Sequence, residues 1–110
     1  MSKIRRRVGS KKHYIMNPLE NQLQSEAKEI NLIYKLTLIA LKRGDELTVR
    51  GAVIQMTQKA DAMADKVDNA PSLIIEQVKV SNINGEMVSV ALYLSQIYYF
   101  LAKATQALQG

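Results

Sequence analysis

Six of the fifteen basic residues fall within the first twelve positions, as Lys3, Arg5, Arg6, Arg7, Lys11 and Lys12, and no acid accompanies them. Side chains of this type neutralise phosphates. Each Lys or Arg that meets one releases condensed counterions, whatever the base sequence. The rest of the chain is different: residues 13–110 hold nine Lys and Arg against ten Asp and Glu, a body of net charge −1 behind a strongly basic leader. Polyanion binding is therefore expected to centre on residues 3–12.

Little else is equipped for chemistry. The one histidine, His13, lies close to the leader, with no second His and no Cys to form a nucleophile–base pair or a metal set. The absence of cysteine excludes disulfides, thiolate chemistry and zinc sites of the Cys type. Asp61, Asp65 and Asp68 share a helical face, but Lys59 and Lys66 interleave with them, the pattern of a solvated charged face rather than a cation site. Neither the phosphate-loop motif nor the dinucleotide fingerprint occurs. No catalytic residue, metal or cofactor is expected, and the chain reads as non-enzymatic. Arg50-Gly51, placed at a strand-to-helix junction, would let an arginine help the helix amides seat a phosphate. The five tyrosines offer faces on which unpaired bases stack. Tyr34 reads as core and Tyr14 as a stacking candidate, while the adjacent Tyr98 and Tyr99 diverge by about 100° on a helix, leaving one for a partner.

These residues need elements to position them. At 110 residues the chain fits one domain, with no apolar window of about 18 residues to span a bilayer and no apolar signal core after the basic start. A cytoplasmic location is expected, nucleoid-associated if the cell is prokaryotic. Residues 1–24, with Gly9-Ser10, Asn17-Pro18 and no sustained period, read as a largely flexible arm that ends in a short strand near 21–25. Residues 25–95 read as the folded domain. Apolar residues from Ile30 to Leu41 predict a first helix over 29–43, closed by Lys42-Arg43-Gly44. Leu47-Thr48-Val49 reads as a short strand. The spacing of Val53, Met56, Ala60, Met63, Ala64 and Val67 predicts a helix over 52–68. After Asn69-Ala70-Pro71, the β-branched run 73–80 reads as a strand. Asn84-Gly85 then marks a hairpin, and the alternation of Val88, Val90, Leu92 and Leu94 reads as the returning strand. Residues 96–110 carry a terminal helix, with Ile97, Phe100, Leu101 and Ala104 on one side. The order β-α-β-α-β-β-α makes a two-layer α+β sandwich. Its excess apolar surface predicts a dimer with Tyr93, Phe100 and Leu101 in the interface.

The run from Lys28 to Leu94 resembles the Alba superfamily of small chromatin and RNA-binding proteins. The resemblance is carried by the helix ending in Arg43-Gly44, by Arg50-Gly51-Ala52-Val53-Ile54, by Pro71 ahead of 73–80, and by the hairpin into 88–94. It implies a β-α-β-α-β-β fold like the C-terminal domain of translation initiation factor three, here with an added C-terminal helix, and a homodimer or heterodimer that binds DNA or RNA without sequence preference. Where family members carry a lysine pair and a proline, this chain reads Ala27-Lys28-Glu29, and the basic hairpin of the family is reduced to 81–87 with Glu86 and no cation. The expected nucleic-acid contacts are thus Lys3, Arg5, Arg6, Arg7, Lys11 and Lys12, assisted by Lys28, Lys42, Arg43 and Arg50. The alternative is a protein-interaction subunit of a ribonucleoprotein that has lost most direct contacts. No membrane partner is expected.

Overall fold

The structure is a computed structural model and describes residues 18–109. It is 79% helical, with helices α1 (Pro18–Arg43), α2 (Glu46–Asp68), α3 (Ser72–Ile75) and α4 (Val90–Gln109), and two short strands, β1 (Lys79–Ser81) and β2 (Met87–Ser89). The α+β sandwich expected from the sequence is not formed, nor is the β-α-β-α-β-β order that the family resemblance implied. Three long helices pack around one core, and the two-stranded hairpin closes one side of it.

Each boundary has a local cause. Pro18 opens α1, where its missing N–H costs nothing, and Glu20 in the first turn and Lys42 and Arg43 in the last suit the helix dipole. The residues 18–24 read as an arm and a strand are therefore the first two turns of a helix. Gly44 ends α1 at φ +69°. Its N–H donates to the Leu41 carbonyl (3.2 Å) and that of Asp45 to the Ala40 carbonyl (2.9 Å), the paired bonds of a Schellman stop. Asp45 at once caps α2: its carboxylate accepts from the Thr48 N–H (3.2 Å) and hydroxyl (2.6 Å). Those bonds, aided by Arg43, hold the Asp45 carboxyl below its ordinary pKa. The cap overrides the β propensity of Leu47-Thr48-Val49, read as a strand. Val49 is buried, and with Met56, Ala60 and Met63 it extends the helical period of α2 backward.

The other two expected strands shrink for similar reasons. Over 73–80, Leu73 and Ile74 are exposed in the single turn of α3, and only Val78 and Val80 are buried. Strand pairing is thus confined to Lys79–Ser81, in antiparallel register with Met87–Ser89. The hairpin expected at 82–86 is present. Gly85 takes φ +81° and donates to the Asn82 carbonyl (3.0 Å), while the buried Asn82 Oδ1 accepts from the Asn84 and Glu86 N–H groups. Ser89 stops the returning strand, because its Oγ accepts the Leu92 N–H (3.2 Å) and caps α4. Val90, Tyr93, Leu94, Ile97, Phe100, Leu101 and Ala104 then form one buried helical stripe. The alternation of 88–94 was a partial view of that stripe.

The core joins Leu23, Ala27 and Ile30 of α1 with Met56, Ala60 and Met63 of α2, Val78 and Val80, and the α4 stripe. Tyr93, Phe100 and Leu101, expected at a dimer interface, lie inside the core of the single chain at 1%, 8% and 6% exposure. Phe100 stacks on Tyr34 with ring centroids 3.9 Å apart and planes 14° apart. The Tyr93 hydroxyl donates to Asn31 Oδ1 (2.8 Å), with the Ala27 carbonyl 3.1 Å away as a second acceptor. Asn31 Nδ2 in turn donates to the Ser81 carbonyl (2.8 Å), so a single polar chain ties α4, α1 and β1 together. Burial pushes the Tyr93 phenol far above its ordinary pKa, with Tyr34 adding to the effect. Lys59 to Glu29 (2.9 Å) and Lys66 to Glu26 (2.7 Å) fix the register of α2 on α1.

Tyr93→Phe keeps the ring and removes the donor, leaving Asn31 Oδ1 without its partner. The expected loss is about 1–2 kcal/mol, read as a lower urea midpoint at unchanged slope. A variant as stable as the wild type would show that this chain of bonds holds nothing in place.

Candidate nucleic-acid interface

The rotation of α1 is set by Leu23, Ala27 and Ile30 facing inward, and that setting decides what faces out. At 100° per residue, Lys28, Leu32, Lys35, Leu36, Ile39, Lys42 and Arg43 fall within an arc of about 120°. All seven are exposed, Leu32 at 64%, Leu36 at 59% and Ile39 at 48%. No acid lies in that arc between 28 and 43. Lys28, Lys35 and Lys42 recur every seven residues, about 10 Å apart along the axis.

Charge is segregated across the body. Among the described residues, Arg50, Lys59 and Lys66 are ion-paired to Glu46, Glu29 and Glu26, whereas Lys28, Lys35 and Lys42 form no salt bridge. Asp61, Asp65 and Asp68 sit together on α2. Asp61 accepts the Tyr98 phenol (2.6 Å), and Asp65 accepts from the Asn69 amide. Burial first, and then the bond to Asp61, push the Tyr98 pKa up to about 12. Among the described residues no group of three His, Cys, Asp or Glu side chains is placed to hold a metal ion.

The sequence-predicted contacts divide accordingly. Lys3, Arg5, Arg6, Arg7, Lys11 and Lys12, with His13 and Tyr14, lie outside the described residues. Lys28, Lys42 and Arg43 come together on the α1 face. Lys28 stands in mid-helix rather than at a helix start. Arg50 does not join them: it lies one turn inside α2, 4.0 Å from Glu46, and Gly51 is an interior helical residue with no positive φ, so no phosphate-seating junction exists there. Lys35, Leu32, Leu36 and Ile39 were missed as surface residues, although the seven-residue recurrence 28, 35, 42 was there to be found. Lys28, Lys35 and Leu32 also border a groove against the hairpin turn at Asn82, Ile83 and Asn84.

Comparison with protein-family models, curated proteins and solved structures finds no match for this chain. Among the described residues no helix is long and apolar enough to cross a membrane.

If the outer stripe is a binding surface and not part of the core, polar replacement there should leave folding intact. Leu32→Gln, Leu36→Gln and Ile39→Gln are each expected to change the unfolding free energy by less than about 0.5 kcal/mol. Ile30→Ala on the opposite face should cost about 2–4 kcal/mol. Urea denaturation of the four variants checks this, and comparable losses on the two faces would contradict it.

Proposed function

We propose that this is a non-enzymatic nucleic-acid-binding protein that holds phosphates through the outer cations of α1 together with the basic residues 3–12. The observation that carries this reading is the acid-free face holding Lys28, Lys35, Lys42 and Arg43, on a body whose other α-helical cations in α2 are ion-paired. A near-neutral body attracts a polyanion only if its charge is sorted, and this one's is. Contacts of this kind position a backbone without reading bases, and the reading places the protein with cytoplasmic or nucleoid nucleic acid. The dimer expected from the sequence is not needed for it. Pairing α1 with α1 of a second copy would also set lysines against lysines.

A second reading has its own observation. Leu32, Leu36 and Ile39 lie exposed between the cations, as on a surface that docks another protein within a ribonucleoprotein. The two readings separate on which half of the face matters.

Salt dependence tests the first. Lys28→Gln, Lys35→Gln and Lys42→Gln combined should lower the log–log slope of affinity against salt by about 2–3 on unrelated sequences, and removal of residues 1–12 by about 4–5. Slopes unchanged by both would return every one of these cations to mere solvation. A loss of partner assembly on Leu36→Gln, with nucleic-acid affinity intact, would favour the second reading.

A further inference from the structure

Across the hairpin turn from the Lys28–Lys35 groove, α1, the turn and α4 enclose a cleft of about 450 Å³, within the range of small-ligand sites. Its aromatic lining is Tyr34, Tyr99 and the buried Tyr93. Tyr34 is held by its stack on Phe100, while Tyr99 is 66% exposed, with the Lys103 ammonium 5.5 Å from its ring centroid. The polar lining includes Asn84 and Gln96, both exposed, whose side-chain amides have no hydrogen-bond partner among the described residues. Asn82 differs. Both ends of its amide are committed, Oδ1 to the turn N–H groups and Nδ2 to Glu86 (3.0 Å), so the turn is held while Asn84 and Gln96 remain available.

Charge decides what enters. Glu86 borders the cleft and repels phosphate, whereas Lys28 and Lys35 border the groove on the other side of the same turn. A nucleotide straddling the turn therefore puts its uncharged base in the cleft and its phosphate toward the lysines. We propose that the cleft takes one unpaired nucleobase of a single strand, stacked on Tyr99 with its edge bonded by Asn84 and Gln96. This rests on the nucleic-acid reading above and narrows it. A base paired within a duplex hides its face in the stack and reaches such a cleft only after extrusion, so the preferred ligand is single-stranded. The α1 face agrees: a duplex would set its phosphate wall against Leu32, Leu36 and Ile39, whereas a single strand turns bases onto apolar residues and phosphates onto cations.

Full-length wild type, Tyr99→Ala, Tyr99→Phe and Gln96→Ala are titrated by fluorescence anisotropy with an end-labelled oligothymidylate of about twelve nucleotides and a mixed-sequence duplex of the same length. Tyr99 is exposed, so the fold survives its replacement. Tyr99→Ala should weaken the single strand roughly tenfold and leave the duplex within about twofold. Tyr99→Phe should retain wild-type affinity, and Gln96→Ala should weaken the single strand alone. The chain has no tryptophan, so tyrosine emission is unmasked, and the quench on binding should be smaller in Tyr99→Ala than in the wild type. Equal losses on both probes, or none, would overturn the cleft while leaving arm-dependent phosphate binding in place. If neither probe binds wild type at low salt, the nucleic-acid reading falls and takes the cleft with it.

Discussion

The fold and the candidate interface depend on one constraint, the rotational setting of α1. A helix of 26 residues has two broad sides, and burying Leu23, Ala27 and Ile30 against α2 and α4 leaves the opposite side no choice but solvent. The setting is secured twice over. Apolar burial alone tolerates some rotation, but the bonds from Tyr93 to Asn31 and from Asn31 to the Ser81 carbonyl do not. Glu26 and Glu29, on the edge toward α2, are ion-paired with Lys66 and Lys59. The outer face therefore keeps its cations and loses its acids as a result of packing.

That sorting gives a body of net charge −1 a directional field. Exposed ion pairs such as Arg50 with Glu46 contribute little to stability, but they do cancel charge where it would compete. Of the described cations that form no salt bridge, Lys28, Lys35, Lys42 and Arg43 lie on α1 beside a hairpin turn held by Asn82, Lys79 lies on β1, and Lys103 lies with Tyr99 on α4 at the turn's far side. The hairpin turn thus stands between a cationic groove and an aromatic cleft, and the short sheet behind it adds little to the layer architecture.

Much of this was legible in the sequence where chain punctuation is strong. Lys42-Arg43-Gly44, the break at Asn69-Ala70-Pro71, the turn at 82–86 and the terminal stripe through Ile97, Phe100 and Leu101 all lie where their residues indicate. The expected strands at 47–49 and 88–94 rest on β-branched residues, and helix caps override them. Asp45 with Thr48, and Ser89 with the Leu92 N–H, are cap signals that outrank the propensity of Leu47-Thr48-Val49 and of Val88-Ser89-Val90. The site is obscured in the same way: a helix over 29–43 leaves Lys28 outside it, whereas α1 from Pro18 aligns Lys28 with Lys35 and Lys42. The cleft is lined by 34, 84, 96 and 99, residues from α1, the turn and α4 that no local pattern brings together.

Backbone amide chemical-shift mapping of the full-length protein, titrated with a single-stranded oligonucleotide, locates the binding surface residue by residue. Perturbations are expected along the outer positions of 28–43, at 82–86 and at 95–103, with the Asp61–Asp68 face of α2 silent. Perturbations confined to residues 1–17, or centred on α2, would contradict this placement.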